Sequence, residues 1–369
     1  MNRMNKISGF LAAIFYVLSR QPCIRRGPIP AGGEEMEYKL TEKENFLRML
    51  SGEMPEFVPH YDMMGWGLRS TVRFSDGPDL GGGFISDYGV EFTSVSAAGG
   101  AALPTPGKFI LKEIEDWPNV IRNPRIPEDI DWEAAAKKDL EKFDRVNKPA
   151  IMSAGDYFQN LMAFMGFTEG LCAMYESPEE VTALFSYLHE YNIAREKIYL
   201  HYYKPDIWYI LDDNATRLNP FISPQMNREL LIPFQREQAE LALDAGCKVM
   251  MHDCGRCEDF IPDWIDMGVS AWDPAQVDND LLGIKARYGG RLSLLGCWDS
   301  QGPASWSESS DELLLDSLAE YVDTYAPGGG FAWTANVLGA EGDENVKRKN
   351  ELVKRFYEDY AKPWYYNHA

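Results

Sequence analysis

Positive charge is scarce in this sequence. Its 369 residues include 57 Asp and Glu but only 36 Lys and Arg, so the net charge is −21. A surface this acidic repels phosphate backbones and anionic lipid headgroups, which excludes nucleic acids and membrane surfaces as main partners. It also counts against a polyanionic substrate, although a local basic pocket remains compatible with an acidic protein.

Cysteines are few and long apolar runs are missing. Six cysteines in a chain of this length do not make a disulfide framework, which favours a reducing compartment. The apolar run from Gly9 to Leu18 is shorter than the roughly 20 residues of a membrane-spanning helix, and no small-residue cleavage site follows it. We therefore expect residues 1–35 to be a disordered or mis-assigned leader, and residues 36–369 to form one cytoplasmic domain.

Strand and helix patterns alternate along most of that domain. About eight βα units of similar length can be counted, which predicts an α/β fold of the single (β/α)8 barrel type. An open, doubly wound sheet is the alternative, but it favours a Gly-rich phosphate loop after an early strand. Gly81-Gly-Gly is followed by neither a helix nor a basic residue, so it is interpreted as an ordinary loop.

Local patterns predict how individual segments begin. Thr41 with Glu44 forms a capping box, and Ser177 before Pro178 is typical of a helix start with Ser as the cap. Ser223-Pro224 predicts another helix, continuous to Ala245. Residues 65–106 are rich in glycine with few helical signals, so we expect an excursion that folds over the mouth of an active site.

Polar side chains follow the predicted strands. Because the residues just after each strand of a barrel converge on one face, these positions form the candidate site. They are His60 and Asp62, Asp156, Asp212 and Asp213, His252 and Cys254, Asp273 and Gln276, and Cys297 and Asp299.

One pair in this set is suited to metal binding. His252 and Cys254 lie on the same side of an extended segment, since side chains alternate along a strand. Imidazole and thiolate ligands suit Zn²⁺, and catalytic zinc has three protein ligands and an open position. Cys297 closes a strand two units later and could complete an N/S/S set. Cys257 remains an alternative third ligand, and an inert, packed His-x-Cys pair remains an alternative to any metal site.

Adjacent carboxylates follow another apolar strand. Burying Asp212 and Asp213 together is costly unless they are paired or functional. We expect Asp212 to hydrogen-bond with neighbouring backbone, and Asp213 to orient a substrate or a metal-bound water.

An ordered set of motifs resembles the uroporphyrinogen decarboxylase superfamily over residues 38–360. The motifs are Asp212-Asp213 with Phe221-Ile-Ser-Pro224, His252-Asp-Cys-Gly, Gly268-Val, Pro274-Ala-Gln, Leu295-Gly-Cys-Trp-Asp299, Gly328-Gly-Gly-Phe and Glu344-Asn345. The resemblance implies a single (β/α)8 barrel, in agreement with the count of βα units.

Within this superfamily, the His-x-Cys pair resembles the methyltransferase branch. Decarboxylases carry an Arg-rich motif near the N-terminus, whereas Arg69 and Arg73 are the only Lys or Arg residues here between Phe57 and Lys108. Thiol-methylating members have a cysteine after the last strand, but residues 331–336 contain none. The segments 87–91 and 104–117 resemble methyl-transferring components that act on aromatic methyl ethers such as veratrol.

This resemblance implies a zinc-dependent O-demethylase. Zn²⁺ held by His252, Cys254 and Cys297 would polarise the ether oxygen of a methoxylated aromatic substrate, and a separate corrinoid protein would accept the methyl group on Co(I). Asp213 or Asp87 would protonate or position the leaving oxygen. The expected substrate contacts are His60, Tyr61, Trp66, Asp156, Gln276, Trp298 and Trp333.

Other readings of the barrel remain open. A decarboxylase, a methylcorrinoid:thiol methyltransferase and a zinc protein without methyl transfer are the alternatives, and a homodimer is compatible with each of them.

Overall fold

The computed structural model describes residues 37–72, 83–95, 102–153, 155–340 and 342–368. The leader expected at residues 1–35 lies outside this range. The strands β1 to β9 are Gly83–Ile85, Glu91–Ser94, Ala102–Pro104, Ile151–Met152, Ile207–Leu211, Lys248–His252, Val269–Ala275, Ser293–Gly296 and Phe331–Ala332. The helices α1 to α14 are Glu42–Leu50, Met63–Trp66, Trp117–Val120, Trp132–Leu140, Phe158–Met165, Phe167–Glu176, Pro178–Tyr202, Pro224–Leu230, Ile232–Asp244, Ile261–Asp266, Leu281–Tyr288, Asp311–Tyr325, Glu344–Phe356 and Trp364–Asn367.

A parallel sheet of six strands forms the centre of the fold. Strands β4 to β9 lie side by side in chain order, and helices connect them. Each strand is almost wholly buried, which is the pattern of a parallel sheet covered on both faces. The expected α/β class is confirmed, but the described sheet has six strands where about eight were expected.

One segment reaches both edges of this sheet. His60 forms a parallel bridge with Trp333, just past β9, and Gly67 forms a parallel bridge with Ile151 of β4. Leu68 N–H donates to the Ile151 carbonyl at 2.8 Å. The segment from His60 to Gly67 thus pairs with each edge of the described sheet through a single-residue bridge, and the short α2 lies between the two bridges.

The two faces of the sheet have different partners. Alternate residues such as Tyr209 and Met250 pack with Phe46 and Met49 of α1, while the intervening residues pack against the connecting helices. Ser293, the first residue of β8, donates to the Met49 carbonyl at 3.4 Å. Helix α1 thus covers the amino ends of the strands and leaves their carboxyl ends for the site.

Two helix starts differ from the expectation. Ser177 makes no capping hydrogen bond to α7, and its hydroxyl donates to Glu115 Oε1 at 3.0 Å. The helix expected from Ser223 to Ala245 is broken into α8 and α9 at Leu231, because Pro233 has no N–H to continue the hydrogen bonds of the helix.

In the described part of the chain, no helix combines the length and apolar character that crossing a bilayer requires.

The glycine-rich excursion contains a small antiparallel sheet in its described part. Strands β1, β2 and β3 pair in that order, and the rings of Phe84 and Phe92 stack with centroids 4.8 Å apart. The turn between β1 and β2 carries Asp87 and Tyr88, which face a cavity at the carboxyl ends of the central strands.

The helix caps provide a matched test of the fold. Thr41 and Glu44 form a reciprocal capping box on α1, with hydrogen bonds of 3.2 and 2.9 Å. We expect Thr41→Ala to lower the free energy of unfolding by about 1 kcal/mol, since a helix N–H loses its partner. Urea denaturation measures this change. Ser177→Ala is the control and should cost less than about 0.5 kcal/mol; equal losses in both variants would contradict the assignment of the caps.

Candidate metal centre

Three potential ligands meet at the carboxyl ends of β5 and β6. The ligand atoms of Asp213, His252 and Cys254 all lie within 4.8 Å of one another. His252 Nε2 is 3.7 Å from Cys254 Sγ and 3.7 Å from Asp213 Oδ1. The strand register brings them together, because Leu211 pairs with His252 and the next residue, Asp212, donates its N–H to the His252 carbonyl at 2.9 Å.

The loop that carries Cys254 is held by side chains from the loop after β7. Gly255 N–H donates to Gln276 Oε1 at 2.8 Å, and Cys257 N–H donates to Asn279 Oδ1 at 2.9 Å. Gly255 itself has φ of 100°, and a Cβ there would lie 2.6 Å from the Thr216 carbonyl oxygen. Gln276, expected to contact substrate, therefore contacts the metal-binding loop.

The ring of His252 is oriented from behind. Its Nδ1 lies 2.9 Å from the Tyr209 hydroxyl oxygen and 3.5 Å from Asp273 Oδ2. The Tyr209 hydroxyl in turn donates a hydrogen bond to Asp273 Oδ1. Tyr61 adds a hydrogen bond to Asp273 at 3.3 Å. These contacts occupy Nδ1 and turn Nε2 towards Cys254 and Asp213, as a carboxylate bound to the other ring nitrogen does for metal-ligating histidines.

The protonation of the ligands depends on burial and on each other. Burial lowers the pKa of His252, but its hydrogen bonds with Asp273 and Cys254 raise it, so the pKa lies well above the ordinary value. Burial raises the pKa of the Cys254 thiol, and His252 opposes this rise. Metal binding needs a neutral imidazole and a thiolate, so it would release protons from both groups.

Three further carboxyl groups, those of Asp156, Asp212 and Asp253, interact electrostatically with Asp213. Burial raises the pKa of Asp156 to about 6 and that of Asp253 to about 8. Burial, together with repulsion from both of these groups, raises the pKa of Asp212 well above its ordinary value. A bound cation would relieve this repulsion. Asp212 also accepts a hydrogen bond from the Asp213 backbone at 3.2 Å, which confirms the backbone-binding role expected for it.

The donor set fits a zinc ion. Imidazole nitrogen, thiolate sulfur and carboxylate oxygen are all zinc ligands, and three protein ligands leave one position open. His252 is 21% exposed and Asp213 is 39% exposed, so the open position can be reached from solvent. Among the described residues this is the one cluster of three such side chains at metal-binding spacing. The set is N/O/S, whereas the sequence predicted N/S/S.

Cys297 is not brought to this cluster. It is buried in the same hydrophobic cluster as Tyr321, close to Lys285, and burial raises the pKa of its thiol. Gly296 and Cys297 have φ of 131° and 62°, so the alternation of side chains stops before the cysteine. Cys257 is also turned away, with its Sγ 3.2 Å from the Cys254 carbonyl oxygen. Among the described residues, Asp213 is the third side chain at metal-binding distance from His252 and Cys254.

A cavity of about 990 Å³ opens at the carboxyl ends of β4 and β5. Tyr209, which contacts His252, lines one side of it, and Asp87 on the turn between β1 and β2 lines another. The excursion thus borders the cavity as expected. Asp156 lies at the same edge of the sheet, where its side chain accepts a hydrogen bond from Asn160 N–H at 2.9 Å.

The aromatic residues expected to hold the substrate are distributed over three places. Tyr61 lies behind His252, in the hydrogen-bonded group around Asp273. His60, Trp66 and Trp333 line a second cavity of about 460 Å³ against α13. Trp298 packs on Tyr321, with ring centroids 5.5 Å apart, and donates to the Asn336 carbonyl.

The sequence patterns did not identify Tyr209, which contacts His252, or Arg195, which lines the large cavity. Tyr209 lies on the same face of β5 as Ile207 and Leu211. Because side chains alternate along a strand, the sequence could have placed Tyr209 on the same side of the chain as Asp213. Arg195, which lines the large cavity, lies in the middle of the long helix α7, and no local motif distinguishes it from the other charged residues there.

Comparison with solved structures reveals a likeness in fold. No family model matches the chain, and no curated protein matches it. Among solved structures, the fold is similar to that of a methyltransferase from Methanosarcina mazei, with a TM-score of 0.54 and 15% sequence identity. The match covers 86% of this chain and 100% of the other. At this identity the likeness is one of fold.

Metal analysis of variants tests the centre. We expect the purified protein to bind about one zinc ion per chain, since three protein ligands and one open position make a mononuclear site. His252→Ala and Cys254→Ala should abolish binding, Asp213→Ala should weaken it strongly, and Cys297→Ser should leave it unchanged. Elemental analysis after dialysis measures the stoichiometry. Loss of zinc in Cys297→Ser with retention in Asp213→Ala would restore the N/S/S assignment.

The support behind His252 provides a second test. Asp273→Asn removes the carboxylate that orients Nδ1, and we expect zinc affinity to fall about 10- to 100-fold. Competition with a chromogenic chelator measures the affinity. Tyr61→Phe is the control and should change the affinity less, because Tyr61 hydrogen-bonds to Asp273 and Tyr209 rather than to Nδ1 itself. An unchanged affinity in Asp273→Asn would show that the hydrogen bond does not orient the ligand.

Proposed function

We propose that this protein is a zinc-dependent methyltransferase that removes the methyl group of a methoxylated aromatic compound and transfers it to the Co(I) of a separate corrinoid protein. The observation that carries the proposal is the three-ligand cluster, whose His252 contacts Tyr209 in the wall of a cavity of about 990 Å³. A methyl-transfer site requires both a place for the donor and a group that activates it. The similarity in fold to a methyltransferase supports the same conclusion.

The metal centre would activate the ether. Zn²⁺ bound by Asp213, His252 and Cys254 would supply a Lewis acid that polarises the ether oxygen and stabilises the phenolate that leaves. Tyr209 and Asp273 keep Nε2 of His252 aimed at this position. The role of Asp213 changes from the proton transfer first expected to metal binding.

The cavity would bind and orient the aromatic ring. Its apolar walls include Met63, Phe84, Met152 and Leu211, which would pack against the ring. As the methyl group passes to cobalt, the oxygen it leaves takes up one proton. Asp87, on the wall formed by the excursion, is positioned in this cavity to hold or deliver that proton.

The rest of the architecture suits this reaction. We infer that the bridges at His60 and Gly67 complete a (β/α)8 barrel of the uroporphyrinogen decarboxylase type. Active sites of such barrels lie at the carboxyl ends of the strands, where the three ligands are found. A corrinoid protein would approach this open end, since α1 covers the other end.

Methyl transfer can be measured directly. The zinc-loaded protein is mixed with methoxylated benzenes and a chemically reduced corrinoid protein, and formation of methylcobalamin is followed by absorbance. We expect demethylation by the wild type and a loss of at least about 100-fold in His252→Ala, because the activating group is removed. Cys172→Ala, on the exposed face of α6, is the control. Full activity of a zinc-free protein would contradict the mechanism.

A further inference from the structure

The loop that carries Cys254 has no regular structure of its own. Residues 253–260, the Cys254 loop, connect β6 to α10 through turns, so the sheet does not fix their position. Buried backbone N–H and C=O groups of such a loop need partners from other segments. The position of Cys254 relative to His252 and Asp213 therefore depends on which groups bind this backbone.

One side chain supplies three of these partners. Asn279 Oδ1 accepts hydrogen bonds from the N–H groups of Cys257 and Glu258, at 2.9 and 3.2 Å. Its Nδ2 donates to the Gly255 carbonyl at 2.9 Å and to the Gln276 carbonyl at 3.0 Å. An amide has two acceptor lone pairs and two N–H donors, so Asn279 uses its full capacity. Three of these hydrogen bonds hold the Cys254 loop, and the fourth ties the amide to its own segment.

Asn279 is well placed to fix the loop. It lies between β7 and α11 and is only 7% exposed, so little water competes for its hydrogen bonds. On the other side of the loop, the Thr216 carbonyl accepts the Arg256 N–H at 2.8 Å and leaves no room for a Cβ on Gly255. The loop is thus held between the segments that follow β5 and β7, and Asn279 binds it at three points from the β7 side.

The backbone bound by Asn279 directly follows the metal-binding thiol. Gly255 is the next residue after Cys254, and Cys257 lies two residues further on. Cys254 Sγ lies 3.7 Å from His252 Nε2. A metal site tolerates displacements of only about 0.5 Å in its ligands, and the short side chain of cysteine cannot compensate for a shifted backbone. Loss of the amide would therefore move the thiol away from an ion held by the other ligands.

We propose that Asn279 is a positioning residue of the metal centre, whose amide fixes the Cys254 loop so that the Cys254 thiolate binds the ion. This inference rests on the proposed function for the presence of a catalytic metal ion. No local motif marks Asn279 in the sequence, since its role arises from the side-by-side pairing of β6 and β7.

Metal affinity tests this role against a matched control. Asn279→Ala removes all four hydrogen bonds, and we expect zinc affinity to fall about 10- to 100-fold, measured by competition with a chelator. Asn45 of α1 is the control, because it is also buried and its amide also binds backbone, at the Glu56 N–H and the Phe57 carbonyl. Asn45→Ala should lower the free energy of unfolding and change zinc affinity by less than about twofold. Equal losses of affinity in both variants would reduce Asn279 to a general contributor to stability.

Cobalt(II) shows which ligand is affected. It accepts the same ligands as zinc, and a bound thiolate gives it a charge-transfer absorption in the near ultraviolet. At saturating cobalt(II), we expect this absorption to be strongly reduced in Asn279→Ala and retained in Asp273→Asn, which acts through His252. A full thiolate absorption in Asn279→Ala would contradict the positioning of Cys254.

Alkylation of the metal-free chain tests the loop without any ion. Mass spectrometry of peptides follows the reaction of Cys254 with iodoacetamide, and the exposed Cys172 is the internal standard. We expect Cys254 to react faster in Asn279→Ala than in the wild type, because release of the loop opens access to a half-buried thiol, while Cys172 reacts equally in both. Equal rates at Cys254 would overturn the inference. If Asn279→Ala does not fold, Asn279→Ser, which keeps a hydroxyl in place of the amide, should show a smaller change in the same direction.

Failure of this inference and failure of the proposed function are distinguishable. Asn279-dependent metal binding and alkylation in a protein without methyl transfer would refute the proposed function alone. Methyl transfer by a protein whose zinc affinity, thiolate absorption and Cys254 alkylation are the same with and without Asn279 would refute the positioning role alone.

Discussion

The hydrogen bonds to His252 Nδ1 are the interaction on which the site depends. An imidazole has two nitrogens, and a metal or substrate can use only the one that remains free and correctly aimed. Tyr209 and Asp273, from the strands on either side of β6, occupy Nδ1 and leave Nε2 facing Cys254 and Asp213. The side-by-side order of β5, β6 and β7 is therefore a requirement of the site as well as of the core.

Placing so many carboxyl groups near one point is costly. Asp156, Asp212 and Asp253 all have raised pKa values because burial disfavours their charged forms, and Asp253 Oδ2 is buried with no hydrogen-bond partner among the described residues. A cation at the three ligands would offset part of this cost. Gln276 and Asn279 stabilise the loop that carries Cys254, because their side-chain oxygens accept hydrogen bonds from backbone N–H groups of that loop.

Much of the fold follows from local pattern. The strands β5 and β6, which end at Leu211 and His252, agree with the sequence interpretation, because apolar runs dominate their conformation. Where the patterns misled, a competing interaction was stronger. The Ser177 hydroxyl binds Glu115 from a distant segment, and Pro233 breaks a helix whose apolar period continues through it. Strand number was overestimated near His60 and Gly67, where pairing is limited to single bridges.

The sequence by itself determined which chemistry is available: a histidine and a cysteine one residue apart at a strand end, and an aspartate pair at the end of the preceding strand. These are local relations, set by the alternation of side chains along extended backbone. Only the tertiary structure decided that Asp213 stands with His252 and Cys254 and that Cys297 does not. The reason is that positive φ angles at Gly296 and Cys297 end the alternation, and the register of β5 against β6 sets distances that spacing along the chain does not encode.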